Sequence, residues 1–401
     1  MTDRGFPELA VNGGPPVRET MLPYARQCVD EADIAAVVAV LQSPWLTTGP
    51  AVRAFEEALA ESAGVEYAVA VSSGTAALHC MVHALGIGPG DEVVVPAMTF
   101  SATANVVVHQ GATPVFADVD PETLLMDPDS VAQRVGPRTR AIVAVDYAGQ
   151  PCDYSRLSEV ALSVGAEVVA DGCHALGATA DGRPVGSIAH ATAFSFHAVK
   201  HVAMGEGGAV TTADPAFAAA ARSFRNHGID SDHLQRAREG SWRYDLVDPG
   251  LNYRVTDIQA ALGLAQLGHL PQWLDRRRAL ALKYDEALAD LVGLSPLGHR
   301  PGVQHAYHLY VVRLRPDRWK VDRAAVFAAL RAEGIGVNVH YIPVHLLGYY
   351  RERFGYGEGL CPHAEAAYES LLTLPLFPCM TDDDLADVVS ALIKVYAAYG
   401  R

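Results

Sequence analysis

An α/β fold built on a mostly parallel sheet is what this sequence predicts, on two observations. From Val65 onward, short apolar runs rich in β-branched and small residues alternate with helical stretches. The runs fall at 67–71, 92–95, 114–117, 141–145, 167–170, 191–196 and 209–212, with helical stretches such as 75–85 and 157–164 between them. Alternation of this kind places helices on both faces of a parallel sheet. Second, several runs end in residues able to do chemistry, and open α/β sheets carry their sites at the carboxyl ends of strands.

In chain order, residues 1–24 are rich in Gly and Pro and read as an irregular arm. Asp30 then caps a helix to about Leu41, in which Ile34, Val37, Val38 and Leu41 keep helical spacing. Leu46-Thr47-Thr48-Gly49-Pro50 is a turn of hydroxyls and backbone donors, as suited to a plain connector as to a ligand contact. After the strand–helix units, 228–250 is polar and aperiodic, the pattern of a mobile loop or lid. Asn252-Tyr253-Arg254-Val255-Thr256-Asp257 opens an alanine-rich helix, with a longer helix expected from about Trp273. A second αβ region follows, with a strand at 307–314, a helix at 322–333 and a strand at 336–341. Thr381 caps the last helix, where Asp382, Asp383 and Asp384 suit the positive end of the helix dipole. These elements divide the chain into an arm (1–24), a large domain (25–268) and a smaller C-terminal αβ domain (269–401).

Composition narrows the function classes. A net charge of −15 leaves no basic stripe to displace the counterions of a nucleic acid. No apolar run approaches the roughly 18 residues that span a bilayer, and the start lacks the basic-then-apolar pattern of a signal peptide. The six cysteines form no C-x-x-C pair and read as reduced thiols, so a cytoplasmic location is expected.

The unusual lysine is Lys200. Only Lys200, Lys283, Lys320 and Lys394 occur, against twenty-seven arginines, and the other three have the sequence setting of solvent lysines. Lys200 sits in Ser195-Phe196-His197-Ala198-Val199-Lys200-His201, with no acidic neighbour before Glu206. A lysine shielded from water loses hydration of its charged form and becomes an amine nucleophile; a strand-end cap is the competing reading. Ser72-Ser73-Gly74-Thr75 joins a strand to a helix and is either a routine N-cap or a phosphate nest of free amides and hydroxyls. Asp171 ends the apolar run Val168-Val169-Ala170, where a carboxylate requires a partner such as a protonated heterocyclic nitrogen, or else caps the next turn. Phe100, after Pro96-Ala97-Met98-Thr99, is by itself a core residue, but it could stack on a planar ligand.

Together these residues make the set that pyridoxal 5′-phosphate requires: a Schiff-base lysine, a pyridinium partner and a phosphate anchor. The motifs Tyr24-Ala25-Arg26-Gln27, Leu46-Thr47-Thr48-Gly49-Pro50, Ser73-Gly74-Thr75-Ala76-Ala77-Leu78 and Gly149-Gln150-Pro151-Cys152-Asp153 occur in order. They continue through Asp171, Phe194-Ser195-Phe196-His197, Gly205-Glu206-Gly207-Gly208, Arg225-Asn226-His227-Gly228 and Asn252-Tyr253-Arg254. On these residues the chain resembles the DegT/DnrJ/EryC1/StrS family of sugar aminotransferases. The resemblance implies the aspartate-aminotransferase fold (fold type I), with a seven-stranded, mostly parallel sheet. It also implies that Lys200 carries the cofactor and shuttles the proton, and that Asp171 holds the pyridine nitrogen. Ser73, Gly74, Thr75 and Ser195 would bind the phosphate, Phe100 would stack on the ring, and His174 would lie near its phenolic oxygen. Asn252 would reach the partner subunit's cofactor, so a homodimer with shared sites is implied. Substrate contacts are expected from Thr48, His197, His201, Arg225, Arg254 and Tyr341.

Three positions depart from the family pattern: His174 stands where Gln is usual, His201 where Asn is usual, and Ala203-Met204 where Thr-Thr is common. Ser-Phe-His-x-Val-Lys with Gly-Glu-Gly-Gly resembles the enzymes that aminate C4 of a nucleotide-linked 4-keto-6-deoxy sugar. The C3 enzymes tend to carry Tyr-Pro-x-Lys with Gly-Asp-Gly-Gly, and the cyclitol (inosose) enzymes Gln near position 197. The expected reaction is ping-pong transamination from L-glutamate through pyridoxamine 5′-phosphate. The rivals are a non-catalytic cofactor-binding regulator, a metal hydrolase using His197/His201 or His340/His345, and a dehydratase. The metal reading lacks the Glu of H-E-x-x-H, and the dehydratase has His where this chain has Lys200.

Overall fold

The computed structural model describes residues 8–231, 236 and 240–401. Seven strands form the main sheet: β1 Tyr67–Val71, β2 Glu92–Pro96, β3 Thr113–Ala117, β4 Thr139–Val145, β5 Glu167–Asp171, β6 Ala191–Ser195 and β7 Gly208–Thr212. Their order is β1-β7-β6-β5-β4-β2-β3. Only β7 runs antiparallel to its neighbours; the remaining pairs are parallel. Burial on both faces explains why the strands read as continuous apolar runs: Val69, Val94, Ile142 and Val169 are fully buried in one cluster.

Register brings the site together. Gly208 opens β7 opposite Val71 at the end of β1 and Ser195 at the end of β6, while Asp171 at the end of β5 lies beside Ala193. The loops after β1, β5 and β6 therefore converge at the carboxyl ends of these strands.

Helices cover the faces. α1, Glu31–Leu41, starts at Asp30 with a complete capping box to Asp33. α2, Pro50–Ala63, is absent from the sequence expectation; it begins on Gly49 and Pro50, which signal a turn as readily as a helix start. α3, Gly74–Ala84, is capped by Ser73, and α4, Ala102–His109, follows the Phe100 loop.

The two helices expected after Thr256 are one. α5, Asp257–Leu288, is 32 residues long and runs through Pro271. Leu267, Leu270, Leu274, Arg277, Leu280, Ala281 and Tyr284 keep one buried face on both sides of the proline, and packing of that face outweighs the lost backbone bond.

Beyond it, a three-stranded antiparallel sheet of β8 Leu294–Pro296, β9 Tyr310–Leu314 and β10 Leu371–Leu374 covers its own core of Leu280, Tyr284, Val312, Leu330 and Val388. The strand expected at 307–314 begins only at Tyr310: Tyr307 has a φ of 50°, outside the extended range, and His308 after it bonds Lys200. The strand expected at 336–341 is not one: the segment makes a single isolated bridge, Asn338 to Thr373, just after the bridge of Ile335 to Leu22. Thr381 caps the final helix, Asp382–Tyr399, with a complete capping box.

Two side-chain expectations change. Cys28 and Cys379 are joined in a disulfide with Cα atoms 6.0 Å apart, although 351 positions separate them in the chain. Only tertiary proximity reveals that pair. Lys394, with the sequence setting of a solvent lysine, is 5% exposed and bonds Glu333 at 2.8 Å and the Pro15 carbonyl at 2.7 Å. Glu333 in turn accepts from the amides of Ala10 and Val17, so the pair ties the arm to the C-terminal helix. Lys394→Met leaves that buried carboxylate its two amide donors but no counter-charge. It should lower the unfolding free energy by about 3 kcal/mol or more in a denaturant titration; an unchanged midpoint would refute the assignment.

Part of the expected lid, residues 232–235 and 237–239, lies outside the described residues. Among the described residues, no helix is long and apolar enough to cross a membrane.

Candidate active site

Three strand ends and one helix start build the site. Asp171 is 6% exposed at the end of β5. Its Oδ2 accepts from Thr103 Oγ1 at 2.8 Å, and its Oδ1 accepts from the Cys173 amide at 3.2 Å. Thr103 spends its proton on Asp171, so Thr99, at 2.8 Å, donates to Thr103. This hydroxyl relay spans the Phe100 loop, with Thr99 before it and Thr103 in α4 after it, and fixes the carboxylate's orientation. The i, i+4 spacing of Thr99 and Thr103 was its only sequence trace.

Lys200 sits on a loop that leaves β6 and returns to β7. The loop is closed by backbone bonds from Ala198 to Gly205 (3.0 Å), Met204 to Phe196 (2.8 Å) and Lys200 to His197 (2.8 Å). Its Nζ lies 3.3 Å from His308 Nε2. Burial pushes the Lys200 pKa down, opposed by the charges of Cys173 and Asp171.

The start of α3 meets Ser195. Ser73 Oγ accepts from the Ala76 amide at 3.1 Å, which leaves the first-turn amides of Gly74 and Thr75 without helical partners. A Cβ on Gly74 would lie 2.7 Å from Ser195 Cβ and 3.0 Å from its Oγ, so only glycine lets this terminus approach the serine. The result is a small cradle of amides and hydroxyls suited to an anion.

Aromatic rings close the other side. His174 is 6% exposed, and its Nε2 shares a 3.1 Å hydrogen bond with Tyr341 OH. Its ring centroid lies 4.5 Å from that of His308. Burial, with Lys200 next in order, pushes the pKa of His174 well below the usual histidine value, so it is neutral near pH 7. Nδ1 of both His174 and His308 is buried without a hydrogen-bond partner. Phe100, read by itself as core, is 59% exposed, with its ring 5.9 Å from that of Tyr341.

Lys200, Asp171, Ser73, Gly74, Thr75, Ser195, His174, Tyr341 and Phe100 thus lie around these converging strand ends. Other expected site residues are placed differently. His197 is exposed, whereas His201 is 3% exposed and bonds the Ala306 carbonyl at 3.0 Å. Thr48 and the two arginines line a separate cleft of about 910 Å³, whose walls include neither Lys200 nor Asp171. There Arg225 pairs with Glu56 at 2.5 Å and also bonds the Ala70 carbonyl. Arg254 donates to Asn226 at 2.8 Å. Asn252 is exposed and bridges to Asn226.

The structure adds Thr103, Cys173, His308 and His340 to the neighbourhood of Asp171 and Lys200. No spacing pointed to His308, because the turn at Tyr307 that delivers it is a tertiary feature.

The donor set of a carboxylate, a shielded amine, an anion cradle and an exposed aromatic face fits a phosphorylated heterocyclic aldehyde. The two partnerless imidazole nitrogens and the exposed ring of Phe100 agree with a planar polar group there.

Comparison with known proteins agrees with that chemistry. The model of the DegT/DnrJ/EryC1/StrS aminotransferase family matches residues 27–393. The spore coat polysaccharide biosynthesis protein SpsC of Bacillus subtilis is 44% identical over 378 residues, covering 94% of this chain and 97% of SpsC. Spr1654 of Streptococcus pneumoniae, solved in a PMP form, superposes with a TM-score of 0.88 at 36% identity, covering 94% of this chain and 99% of that one. DesI, solved in the presence of its TDP-sugar product, superposes with a TM-score of 0.86 at 36% identity, covering 96% and 95%.

Proposed function

This chain belongs to the DegT/DnrJ/EryC1/StrS aminotransferase family, and from that premise we propose that it aminates C4 of a nucleotide-linked 4-keto-6-deoxy sugar. L-glutamate is the amino donor, pyridoxal 5′-phosphate the cofactor, and amino-sugar biosynthesis in the cytoplasm the setting. The observation that carries the chemistry is the placement of Asp171 at the end of β5 and Lys200 on the loop after β6, with the Gly74–Ser195 cradle at the start of that loop.

When bound, pyridoxal phosphate supplies an electrophilic carbonyl and an electron sink. Asp171, aligned by Thr103, would hold its ring nitrogen. The α3 terminus, through Ser73, Gly74 and Thr75, together with Ser195, would hold the phosphate. Phe100 would cover one face, and His174 would meet the phenolic oxygen.

Lys200 is the group that binds the carbonyl and moves the proton at Nζ. The cationic form of an amine can only donate a proton, so burial, which favours the neutral form, equips it to accept one from a substrate carbon. His174 and Tyr341 hold one another by their shared bond and exclude water from that side.

The nucleotide reading draws support from DesI, which was solved with a TDP-sugar. The motif Ser195-Phe196-His197 with Gly205-Glu206-Gly207-Gly208 favours the C4 position. Within one chain, Thr48, Arg225, Arg254 and Asn252 line or border a cleft apart from Lys200. They serve the site in a homodimer, where Asn252 reaches the partner subunit's cofactor. Among the described residues Arg254 bonds the neutral Asn226 and pairs with no carboxylate, so it is better placed than ion-paired Arg225 to bind an anionic substrate.

The test is incubation of purified protein with glutamate and a panel of 3-keto and 4-keto nucleotide sugars and inososes, with the aminated product identified by NMR. Amination at C4 is expected. Exclusive turnover of a 3-keto sugar or a cyclitol would replace this reading with the corresponding one.

A further inference from the structure

Among the described residues, the hydrogen-bond partner of the Lys200 amine is His308, with Nε2 at 3.3 Å from Nζ. His308 is 4% exposed and comes from a different part of the chain, 108 positions away.

Its placement is built in from three sides. Gly149, at a φ of 107°, lets the segment close in: a Cβ there would lie 2.9 Å from the Tyr307 amide, 3.0 Å from the His308 amide and 2.8 Å from the His174 carbonyl. Backbone bonds from Ala306 to Gly149 (2.9 Å) and Leu309 to Ala148 (3.2 Å) flank the residue. Arg277, 1% exposed on α5, donates to the carbonyls of Tyr307 (3.1 Å), His308 (3.4 Å) and Leu376 (3.0 Å).

We propose that His308 is a positioning residue for Lys200, accepting a hydrogen bond at Nε2 that aims the amine for attachment to the aldehyde cofactor. The inference rests on the pyridoxal phosphate reading above.

A lysine amine ends a four-carbon stem with freely rotating donors, so the direction of its lone pair is otherwise undefined. Donation of one N–H to an imidazole fixes that rotation and leaves the lone pair for the aldehyde carbon. Attachment then forms a C=N bond to Nζ and releases one water, which carries away the carbonyl oxygen and two amine protons.

An imidazolium has no lone pair to accept with. His308 is kept neutral by burial first and then by the charge of Lys200, with His174, His201 and Arg277 acting in the same direction. Its remaining proton is therefore on Nδ1.

The experiment adds pyridoxal phosphate to apoprotein, quenches with borohydride at set times and quantifies the pyridoxyl adduct at Lys200 by peptide mass mapping. His308→Leu and His308→Phe, the latter keeping a ring of similar volume, should form the adduct about tenfold more slowly or worse, at unchanged melting temperature. His308→Gln retains an acceptor and should recover most of the rate.

In 15N-histidine-labelled wild-type apoprotein, His308 should be the neutral Nδ1–H tautomer at pH 7. Adduct formation by His308→Phe at the wild-type rate, or an Nε2–H tautomer in the wild type, would overturn the proposal. If wild-type protein forms no adduct at Lys200, the cofactor reading itself fails, a result distinct from a variant that matches wild type.

Discussion

Lys200→Ala is expected to abolish transamination, with a fall in kcat of about 10⁴-fold or more, and to remove the visible absorbance gained when pyridoxal phosphate is added. The magnitude follows from deleting a group that serves as both nucleophile and proton carrier, roles that together exceed the effect of a single general base. The fold should survive. Burial lowers the Lys200 pKa below its ordinary 10.5, so the unfolded chain binds that proton more tightly than the folded one. The resulting destabilisation is present below the folded pKa and fades as pH rises toward 10.5. The alanine apoprotein should therefore melt no lower than wild type at neutral pH. Stopped-flow spectra and product assays on the folded variant check this; turnover within a hundredfold of wild type would sink the role of Lys200.

Asp171→Asn is the second large effect. It preserves size and one hydrogen-bonding oxygen while removing the negative charge from a position 6% exposed to solvent. Loss of one member of a buried charged pair costs about 3–5 kcal/mol, which corresponds to roughly 10²–10³-fold or more in kcat if the charge acts on the electron sink. Asn also replaces one of the two accepting oxygens by an NH2, so a donor then faces either Thr103 Oγ1 or the Cys173 amide. The pyridoxyl adduct at Lys200 should still form, separating this variant from Lys200→Ala. Half-reaction rates with glutamate measure the effect, and a kcat within tenfold of wild type would remove Asp171 from the ring nitrogen.

Much of this architecture was legible in the chain because its signals are local. A strand buried on both faces is a short apolar run whatever surrounds it, and the seven runs match β1–β7 to within two residues at either end. Asp30, Ser73, Asp322 and Thr381 cap helices because their side chains reach amides two or three residues on, a distance set by helix geometry alone. The continuity of α5 through Pro271 was not legible for the same reason. The proline penalty is local, but the continuity of the buried face across it is decided by the segments packed against it.

What the sequence by itself determined is therefore the α/β class, the strand ends bearing Asp171, Ser195 and the Lys200 loop, and the start of α3 beside Gly74. The tertiary structure alone decided which distant groups complete the site: Thr103 on Asp171, His308 on Lys200, and Tyr341 on His174. It also decided that Arg225 is already ion-paired and Lys394 buried. The physical reason is range. Backbone hydrogen bonding and side-chain periodicity act within a few residues and are written into neighbouring positions. The contacts that orient a carboxylate or an amine span 68 and 108 positions, and they exist only once sheet order and loop closure have brought those positions within 3.5 Å.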